Sequence, residues 1–410
     1  MCIATERQNW GGEPTDSETR SQALLFRDRT IQCLVLGNFT KGGPYVLETM
    51  MHNLGTETFL CSDPNVGLWL LLGLTIQIAT SQGYHRDPDS FSKISPFVGE
   101  MRRRIWGTIV QLDFRLCSQM GLPRLVKPQN CDTSEPRNLL DTDFDEGTVE
   151  LPPSRPETEV TPILYSLAKN RIDYIGGLIS DLLADIHEHQ YTEILELHEK
   201  VQAAEASLPP IFRWQPISQS LTIPPKIVLF RAWLQLAIQR LVVWLHRKYM
   251  APSYSQEQYA FSRDACVKAA IKILEFQHMM EEETQPSGRL YHVRGMQTSL
   301  IQSVFLLGMS VLCYYVQLAK TSPEIPLDQE LDSRIRGLLQ RTYPLLIRSS
   351  TVSRNAREAV KHLSLLLGLD QGQQDNVNID HGSSYSFASI PQQPSLASMD
   401  QITWMTYQGR

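Results

Sequence analysis

Histidine, arginine and carboxylate side chains crowd together within residues 63–145, a combination that suggests an active site or an anion-binding site. The candidate residues are His85, Arg86, Asp87, Arg102, Arg103, Arg104, Trp106, Asp113, Gly121 and Pro123. Whether they serve catalysis, binding or architecture depends on the elements that carry them.

The three consecutive arginines suit a small anion or a phosphate group. They fall at the start of a predicted helix, however, where the helix dipole disfavours positive charge. We therefore expect each arginine to have a specific partner, and the acidic run at residues 141–146 is the best candidate. Contact with nucleic acid, a ligand or a partner protein stays open as an alternative.

Within the acidic run, Asp141, Asp143 and Asp145 match the start of a calcium-binding loop. Such a loop requires Gly at its sixth position and Glu at its twelfth. The sequence has Glu146 and Pro152 there. A solvated acidic loop is therefore predicted.

Three histidines, His187, His189 and His198, lie on one predicted helix. Residues two apart do not share a helix face, and residues eleven apart are too distant to bind one ion. The spacing predicts solvated or interface histidines, and no metal ligand is assigned.

Nucleophile motifs are equally weak. The pattern Ser-x-x-Lys occurs at Ser166–Lys169 and again at Ser90–Lys93, without the partner motifs that a catalytic site needs. The sequence contains no phosphate-binding loop, nucleophile elbow or His-Glu-x-x-His motif. We assign no catalytic residue and expect a protein that is not an enzyme.

Composition excludes further classes. The formal net charge of -6 over 410 residues argues against a surface devoted to nucleic acid. The seven cysteines are too widely spaced for a local zinc site or a disulfide scaffold, which predicts reduced thiols. Residues 300–319 approach the length of a membrane span, but they carry polar side chains and have no companion, so a buried helix and no membrane contact are expected.

The elements that position the candidates are two predicted helices. Asp63, followed by a proline, is the predicted N-cap of an enclosed apolar helix over residues 66–82, and Gly83 is its predicted C-terminal cap. Ser95, also followed by a proline, predicts the start of the next helix, which ends at Gly121. Residues 122–160 are predicted to be irregular because of their prolines.

On the second helix, Arg102 and Asp113 project from the apolar stripe. They are about 16 Å apart at 1.5 Å per residue, so each needs a partner on another element. We predict that Asp113 pairs with Arg86 or His85.

Helical spacing continues to residue 369, and no alternating strand pattern is present, so the predicted fold class is all-α. The remaining predicted helices are at residues 22–35, 47–54, 161–207, 227–250, 255–283 (opened by a Ser255/Gln258 capping box), 294–320, 327–343 and 353–369. Residues 1–20 are predicted to be a disordered N-terminus and 21–370 a large multi-helix domain. Residues 371–410 form a Gln- and Ser-rich tail that ends with the apolar residues Ile402, Trp404, Met405 and Tyr407.

The order and spacing of these motifs resemble the fungal-specific transcription factor domain, the middle homology region of fungal zinc-cluster (Zn2Cys6) regulators. The matching residues are Trp69, Gly73, Ala79, Gly83, Tyr84, His85, Arg86, Asp87, Ser95, Pro96, Phe97, Glu100, Met101, Arg102, Arg103, Arg104, Ile105, Trp106, Leu112, Asp113, Gly121, Pro123, Cys131, Asp132, Pro136, Asn138, Asp141 and Asp143, with a looser match at 245–249 and 262–270. The resemblance covers residues 25–320 and implies an all-α regulatory domain of a nuclear protein. It also implies modulation of target-gene transcription in response to a metabolite or a partner protein. The motif residues are implied to characterise the fold and to have no catalytic role.

One departure from the family is large. Family members usually carry a DNA-reading zinc cluster of six closely spaced cysteines, whereas here Cys2 is followed next by Cys33. We therefore expect no cofactor in this chain and zinc only in the missing N-terminal cluster. Two explanations for the missing cluster are open: the gene model lacks an upstream exon, or the regulator is naturally truncated. DNA contact is expected to be indirect or through the missing module, with other transcription proteins as partners in a homodimer or heterodimer. Tyr84 and Gly107 also differ from the usual family residues.

Two other functions stay open. A helical protein that binds or converts a small molecule would need polar groups converging in a pocket, for which Asp113, Arg102 and His85 are the candidates. A helical adaptor without DNA contact is the third alternative. The leading prediction is a nuclear transcription regulator acting on metabolic or biosynthetic genes.

Overall fold

The protein is all-α throughout its described part. The computed structural model describes residues 17–61, 63, 65–296, 299–321 and 328–369, and no strand occurs in these ranges. The α-helices are α1 (Ser17–Leu36), α2 (Val46–Leu60), α3 (Val66–Ser81), α4 (Pro96–Met120), α5 (Leu164–Ala184), α6 (Tyr191–Ala206), α7 (Pro225–His246), α8 (Ala260–Glu283), α9 (Ser299–Thr321), α10 (Gln329–Ser350) and α11 (Arg354–Leu367). The predicted fold class is confirmed.

The N-terminal boundary needs correction. Helix α1 begins at Ser17, so the last four residues of the segment predicted to be disordered, 17–20, are helical. The rest of that segment, residues 1–16, and the predicted tail at 371–410 lie outside the described residues.

Helix α3 begins at Val66 as predicted and ends at Ser81, one residue before the predicted end, but its cap is not the predicted one. Its N-cap is Asn65, whose side-chain oxygen accepts a hydrogen bond of 2.7 Å from the backbone N–H of Gly67. Asp63 is not the cap, because its carboxylate accepts hydrogen bonds from Ser353 Oγ (2.6 Å) and Arg354 N (2.7 Å) at the start of α11. Gly83 adopts φ 77°, a left-handed conformation that suits glycine at a helix end.

Both predicted ends of α4 are confirmed. Ser95 Oγ accepts a hydrogen bond from Val98 N at 3.3 Å, and Pro96 occupies the first helical position. Gly121 follows the helix with φ 66°. The left-handed residue turns the chain back along the helix that it has just left.

Two later predictions were wrong. The segment predicted as one helix over 161–207 is two helices, α5 and α6, separated by irregular residues. The capping box of Ser255 and Gln258 does not form, because α8 begins at Ala260 after short 3₁₀ turns. Ser255 Oγ instead donates to the carbonyl oxygen of Pro252 at 3.2 Å.

The helices enclose two apolar cores. The first core lies between α2, α3 and α4 and comprises Leu47, Leu54, Leu68, Leu72, Ile76, Ala79, Trp106, Ile109, Leu116 and Val126. The second core is larger and lies among α5–α11, with Phe114 of α4 also packed in it. Because α4 contributes to both, it joins the two.

Within the described ranges, two helices are long and apolar enough to span a membrane by length and composition, Pro225–Tyr249 and Ile301–Lys320. Of an apolar 18-residue stretch in each, 83% is buried within the fold in the first helix and 61% in the second. Their burial agrees with the core helix predicted for residues 300–319. The first helix was also predicted, at residues 227–250, but not as a candidate membrane span.

Candidate functional site

Arg103 and Asp87 form a largely buried ion pair in the candidate region. Arg103 Nη2 lies 2.7 Å from Asp87 Oδ1 and 2.8 Å from Asp89 Oδ2, and its side chain is 7% exposed. Asp87 also accepts a hydrogen bond of 2.8 Å from Ser134 N. Burial opposes ionisation of Asp87, but the hydrogen bonds from Arg103 and Ser134 outweigh it and lower the pKa of this carboxyl group. The pair ties the turn after α3 to α4.

Arg104 makes the predicted contact with the acidic run. Its Nη1 lies 2.8 Å from Asp141 Oδ1, and its Nε lies 3.1 Å from Glu100 Oε1. Glu100 is fully buried, and Arg104 supplies the ion-pair partner that a buried carboxylate needs. The guanidinium also lies 4.9 Å from the centre of the Phe144 ring.

Arg102 does not pair with the acidic run. Its Nη2 donates to the carbonyl oxygen of Gln82 at 3.2 Å, and its guanidinium lies 4.6 Å from the centre of the Tyr84 ring. The carbonyl groups at the end of α3 carry partial negative charge that favours a cation. Arg102 therefore caps α3.

Asp113 is 1% exposed, and its partners are not the predicted ones. Its two carboxylate oxygens accept hydrogen bonds from Leu125 N (3.1 Å) and Val126 N (2.8 Å). Burial raises its pKa despite these bonds. Arg86 instead pairs with Asp132 at 2.9 Å on the surface. The prediction failed because the chain reverses at Gly121 and brings its own backbone donors to the carboxylate.

The other candidates lie close to these contacts. Trp106 belongs to the first core, and its ring centre lies 6.3 Å from that of His85. Pro123 lies in the irregular segment between the left-handed Gly121 and the donors to Asp113.

The acidic loop is solvated as predicted at Asp141, Asp145 and Glu146, which are exposed, but Asp143 anchors it to the fold. Arg155 Nε lies 2.6 Å from Asp143 Oδ2, and the hydrogen bonds from Arg155 lower the pKa of Asp143 to about 2. Asn138, which is 2% exposed, accepts a hydrogen bond from Thr161 Oγ1 at 2.6 Å and donates to the Arg155 carbonyl at 3.0 Å. Sequence reasoning missed these contacts because the partners are 12 to 23 residues apart.

A buried polar chain in the second core was also missed. His246 Nε2 lies 2.9 Å from His198 Nδ1, and its Nδ1 lies 2.8 Å from Ser262 Oγ, which lies 2.8 Å from the Tyr191 hydroxyl. Burial lowers the pKa of His246 to about 3. A serine beside a histidine suggests a nucleophile, but both residues are fully buried, so no substrate reaches them.

Metal chemistry has no support in the described ranges, where no group of three or more His, Cys, Asp or Glu side chains could hold an ion. Burial raises the pKa of the Cys117, Cys266 and Cys313 thiols to about 12, which disfavours the thiolate that zinc binds. His187 and His189 contact Asp185 near the surface. These residues do not fit a zinc cluster.

Comparison with known proteins agrees with the motif analysis. A family profile described as "Fungal specific transcription factor domain" matches residues 58–203, a shorter range than the motif resemblance. The pyrrolocin cluster transcription factor of a fungal species is 45% identical over 86% of this chain and 47% of the relative. The equisetin cluster transcription factor of Fusarium heterosporum is 41% identical over 90% of this chain and 54% of the relative.

A further relative, described as a Zn(2)-C6 fungal-type transcription factor, comes from Monascus ruber and is 37% identical over 96% of this chain and 50% of the relative. The chain thus spans about half the length of these curated relatives. No solved structure matches the chain.

Proposed function

We propose that this chain, which matches the fungal-specific transcription factor domain profile over residues 58–203, acts as the helical regulatory part of a transcription regulator in the nucleus. The profile match covers α3, α4, α5 and most of α6, and the candidate residues lie within this range. The relatives that match at 37–45% identity are named as transcription factors, and none of these names describes an enzyme.

The observation that carries the proposal is the 45% identity to a pyrrolocin cluster transcription factor over 363 residues. The match extends far beyond the profile and requires most of the helices to be shared. Two relatives are named for the biosynthetic clusters that they serve, pyrrolocin and equisetin. The genes regulated by this protein are therefore proposed to belong to a biosynthetic cluster.

Within the regulator, residues 21–370 are proposed to act as one regulatory unit. Two contacts support the proposal: Phe114 extends from α4 into the second core, and Asp63 binds the start of α11. The candidate residues would be architectural, because Arg102, Arg103, Arg104 and Asp113 each bond to another protein group.

Zinc and direct DNA contact are proposed to belong to a cysteine cluster of the longer protein. The relative from Monascus ruber is named for such a cluster. Neither the spacing of the seven cysteines nor the geometry of those in the described ranges fits one. Its partners would be DNA, reached through that cluster, and other transcription proteins.

Disruption of the gene tests the function. Transcripts of the neighbouring biosynthetic genes are measured in the parent strain, in the disrupted strain and after reintroduction of the intact gene. A change of several-fold that reintroduction reverses is expected. Unchanged transcripts across that cluster would contradict the assignment.

A further inference from the structure

Four charged side chains meet where α4, α5 and α7 pack together. Arg115 comes from α4, Lys169 and Asp173 from α5, and Arg240 from α7, and we call these residues the cationic cluster. Asp173 is 7% exposed and Arg240 is 6% exposed. Lys169 Nζ forms an ion pair with Asp173 Oδ2. The cluster belongs to neither the polar contacts around Asp113 nor the buried histidines.

Positive charge exceeds negative charge in this cluster. Lys169 and Arg240 are two cations that face one carboxylate, Asp173, among the described residues. Burial lowers the pKa of Arg240 to about 10, with Asp173 raising it and Arg115 lowering it further. Burial likewise lowers the pKa of Lys169 and of Arg115. A buried charge without a counter-charge is costly, so the cluster is electrostatically suited to an additional anion.

The hydrogen bonds of Arg240 are also incomplete. Its Nη1 donates to Ser118 Oγ at 3.3 Å, while its buried Nε has no partner within the described part of the chain. The indole N–H of Trp233, two helical turns earlier on α7, is likewise buried and unpartnered there. Arg103, by contrast, directs its Nε and Nη2 at Asp87. A buried donor left without an acceptor is unfavourable, and an anion would supply the acceptor.

The surroundings of the cluster combine access with aromatic surface. The Lys169 side chain is 20% exposed, so the cluster reaches solvent on that side. The Arg240 guanidinium lies 4.7 Å from the centre of the Trp244 ring and 5.4 Å from that of Phe114. Tyr165 precedes Lys169 by one turn of α5 and stacks on Phe230 with 3.9 Å between ring centres. Sites for small molecules commonly combine aromatic walls with a few polar groups.

We propose that the cationic cluster binds the carboxylate or phosphate group of a small anionic molecule, which accepts a hydrogen bond from Arg240 and balances the excess positive charge. In the proposed regulator this molecule would act as an effector, and only that role rests on the proposed function. Binding would hold α4, α5 and α7 together at the point where the two cores meet.

Binding is tested with the purified chain and two probes, inorganic phosphate and succinate, each titrated at constant ionic strength. Melting temperature and titration calorimetry are the readouts. A saturable rise in melting temperature of about 2 °C or more is expected with at least one probe, since a ligand that binds only the native state stabilises it. Comparing the probes distinguishes a phosphate from a carboxylate ligand.

Variants locate the site. R240M and K169M should each weaken binding at least tenfold, and circular dichroism of each variant without probe establishes that it is folded. The matched control is R341M, which removes an exposed arginine of α10 paired with Glu282 and should bind as the parent does. If R240M does not fold, the binding measured with K169M decides whether the probes bind at the cationic cluster.

Two results would contradict the proposed binding site. The first is the absence of a saturable effect with either probe. The second is an equal loss of binding in R341M and R240M, which would indicate nonspecific ion binding. Saturable binding without any change in transcripts after gene disruption would reject the proposed function and keep the site. Changed transcripts without binding of either probe would reject the site and keep the proposed function.

Discussion

Asp113 and Asp173 are buried carboxylates on consecutive helices, and they differ in what surrounds them. Asp113 accepts backbone hydrogen bonds on both of its oxygens. Asp173 pairs with Lys169 through one oxygen, and its other oxygen has no partner among the described residues. A carboxylate that accepts hydrogen bonds from backbone N–H groups fixes the conformation of that backbone segment. A carboxylate outnumbered by cations leaves positive charge that a further anion can balance.

The largest effect is expected from Asp113→Ala. The substitution leaves the backbone N–H groups of Leu125 and Val126 without their acceptor, so the free energy of unfolding should fall by about 3 kcal/mol. Chemical denaturation of the purified chain measures the change. Asp264→Ala is the control, because Asp264 is 56% exposed and should matter by less than about 1 kcal/mol. A loss below 1 kcal/mol for Asp113→Ala would remove its architectural role.

Acid should weaken the second core before it affects the first. The pKa of His246 is about 3 in the folded protein against 6.5 for the unperturbed side chain, so the unfolded state takes up the proton first as pH falls. This stabilisation is complete above pH 6.5 and is lost as pH falls toward 3, by about 2 kcal/mol between pH 7 and pH 5 at 1.36 kcal/mol per pKa unit.

Denaturation curves at several pH values measure this loss, and His246→Gln should flatten the dependence. His187→Gln is the matched control, since His187 is 80% exposed. The Asp87 and Asp143 carboxyls, whose pKa values are lowered, contribute only at more acidic pH. An equal slope in His246→Gln and the parent would argue against a neutral buried histidine.

Alanine substitutions at two helical glycines, Gly176 and Gly107, test how tightly the two regions are packed. An added Cβ at Gly176 of α5 would lie 2.3 Å from Phe114 Cζ and 3.0 Å from Leu241 Cδ2, so Gly176→Ala should cost about 1–3 kcal/mol. Gly107 of α4 has nothing within 4 Å of the added atom, and Gly107→Ala should instead raise stability by about 0.5–1 kcal/mol. Thermal and chemical unfolding of both variants provide the measurement. If both substitutions changed the free energy of unfolding in the same direction, the two regions would not differ in packing at these positions.

The smallest effect is expected from Arg240→Met. An apolar side chain of similar length often replaces a poorly compensated buried charge without loss. The free energy of unfolding without added anions should therefore stay within about 1 kcal/mol of the parent value, as measured by denaturation in a buffer of weakly binding ions. A loss above 3 kcal/mol would show that Arg240 is as well compensated as Asp113, and the contrast between the two regions would disappear.

Motif order and helix ends could be derived from the sequence. Ser95 and Gly121 act on residues three to five positions away, so their roles are visible in local spacing. The pairing of Arg104 with Asp141 followed from opposite charge and an unfavourable dipole. Asp63 misled the interpretation, because a cap and a tertiary anchor have the same residue type, and the partner at Ser353 is 290 positions away.

The sequence by itself determined the all-α fold, the boundaries of α4 and the resemblance to a regulatory domain, because these depend on periodicity and on neighbouring residues. Only the tertiary structure decided that Asp113 binds the backbone after Gly121, that His198 meets His246, and that Arg240 lies among unbalanced charges. Those contacts depend on how the chain returns to itself, which local hydrogen bonding and side-chain spacing do not specify.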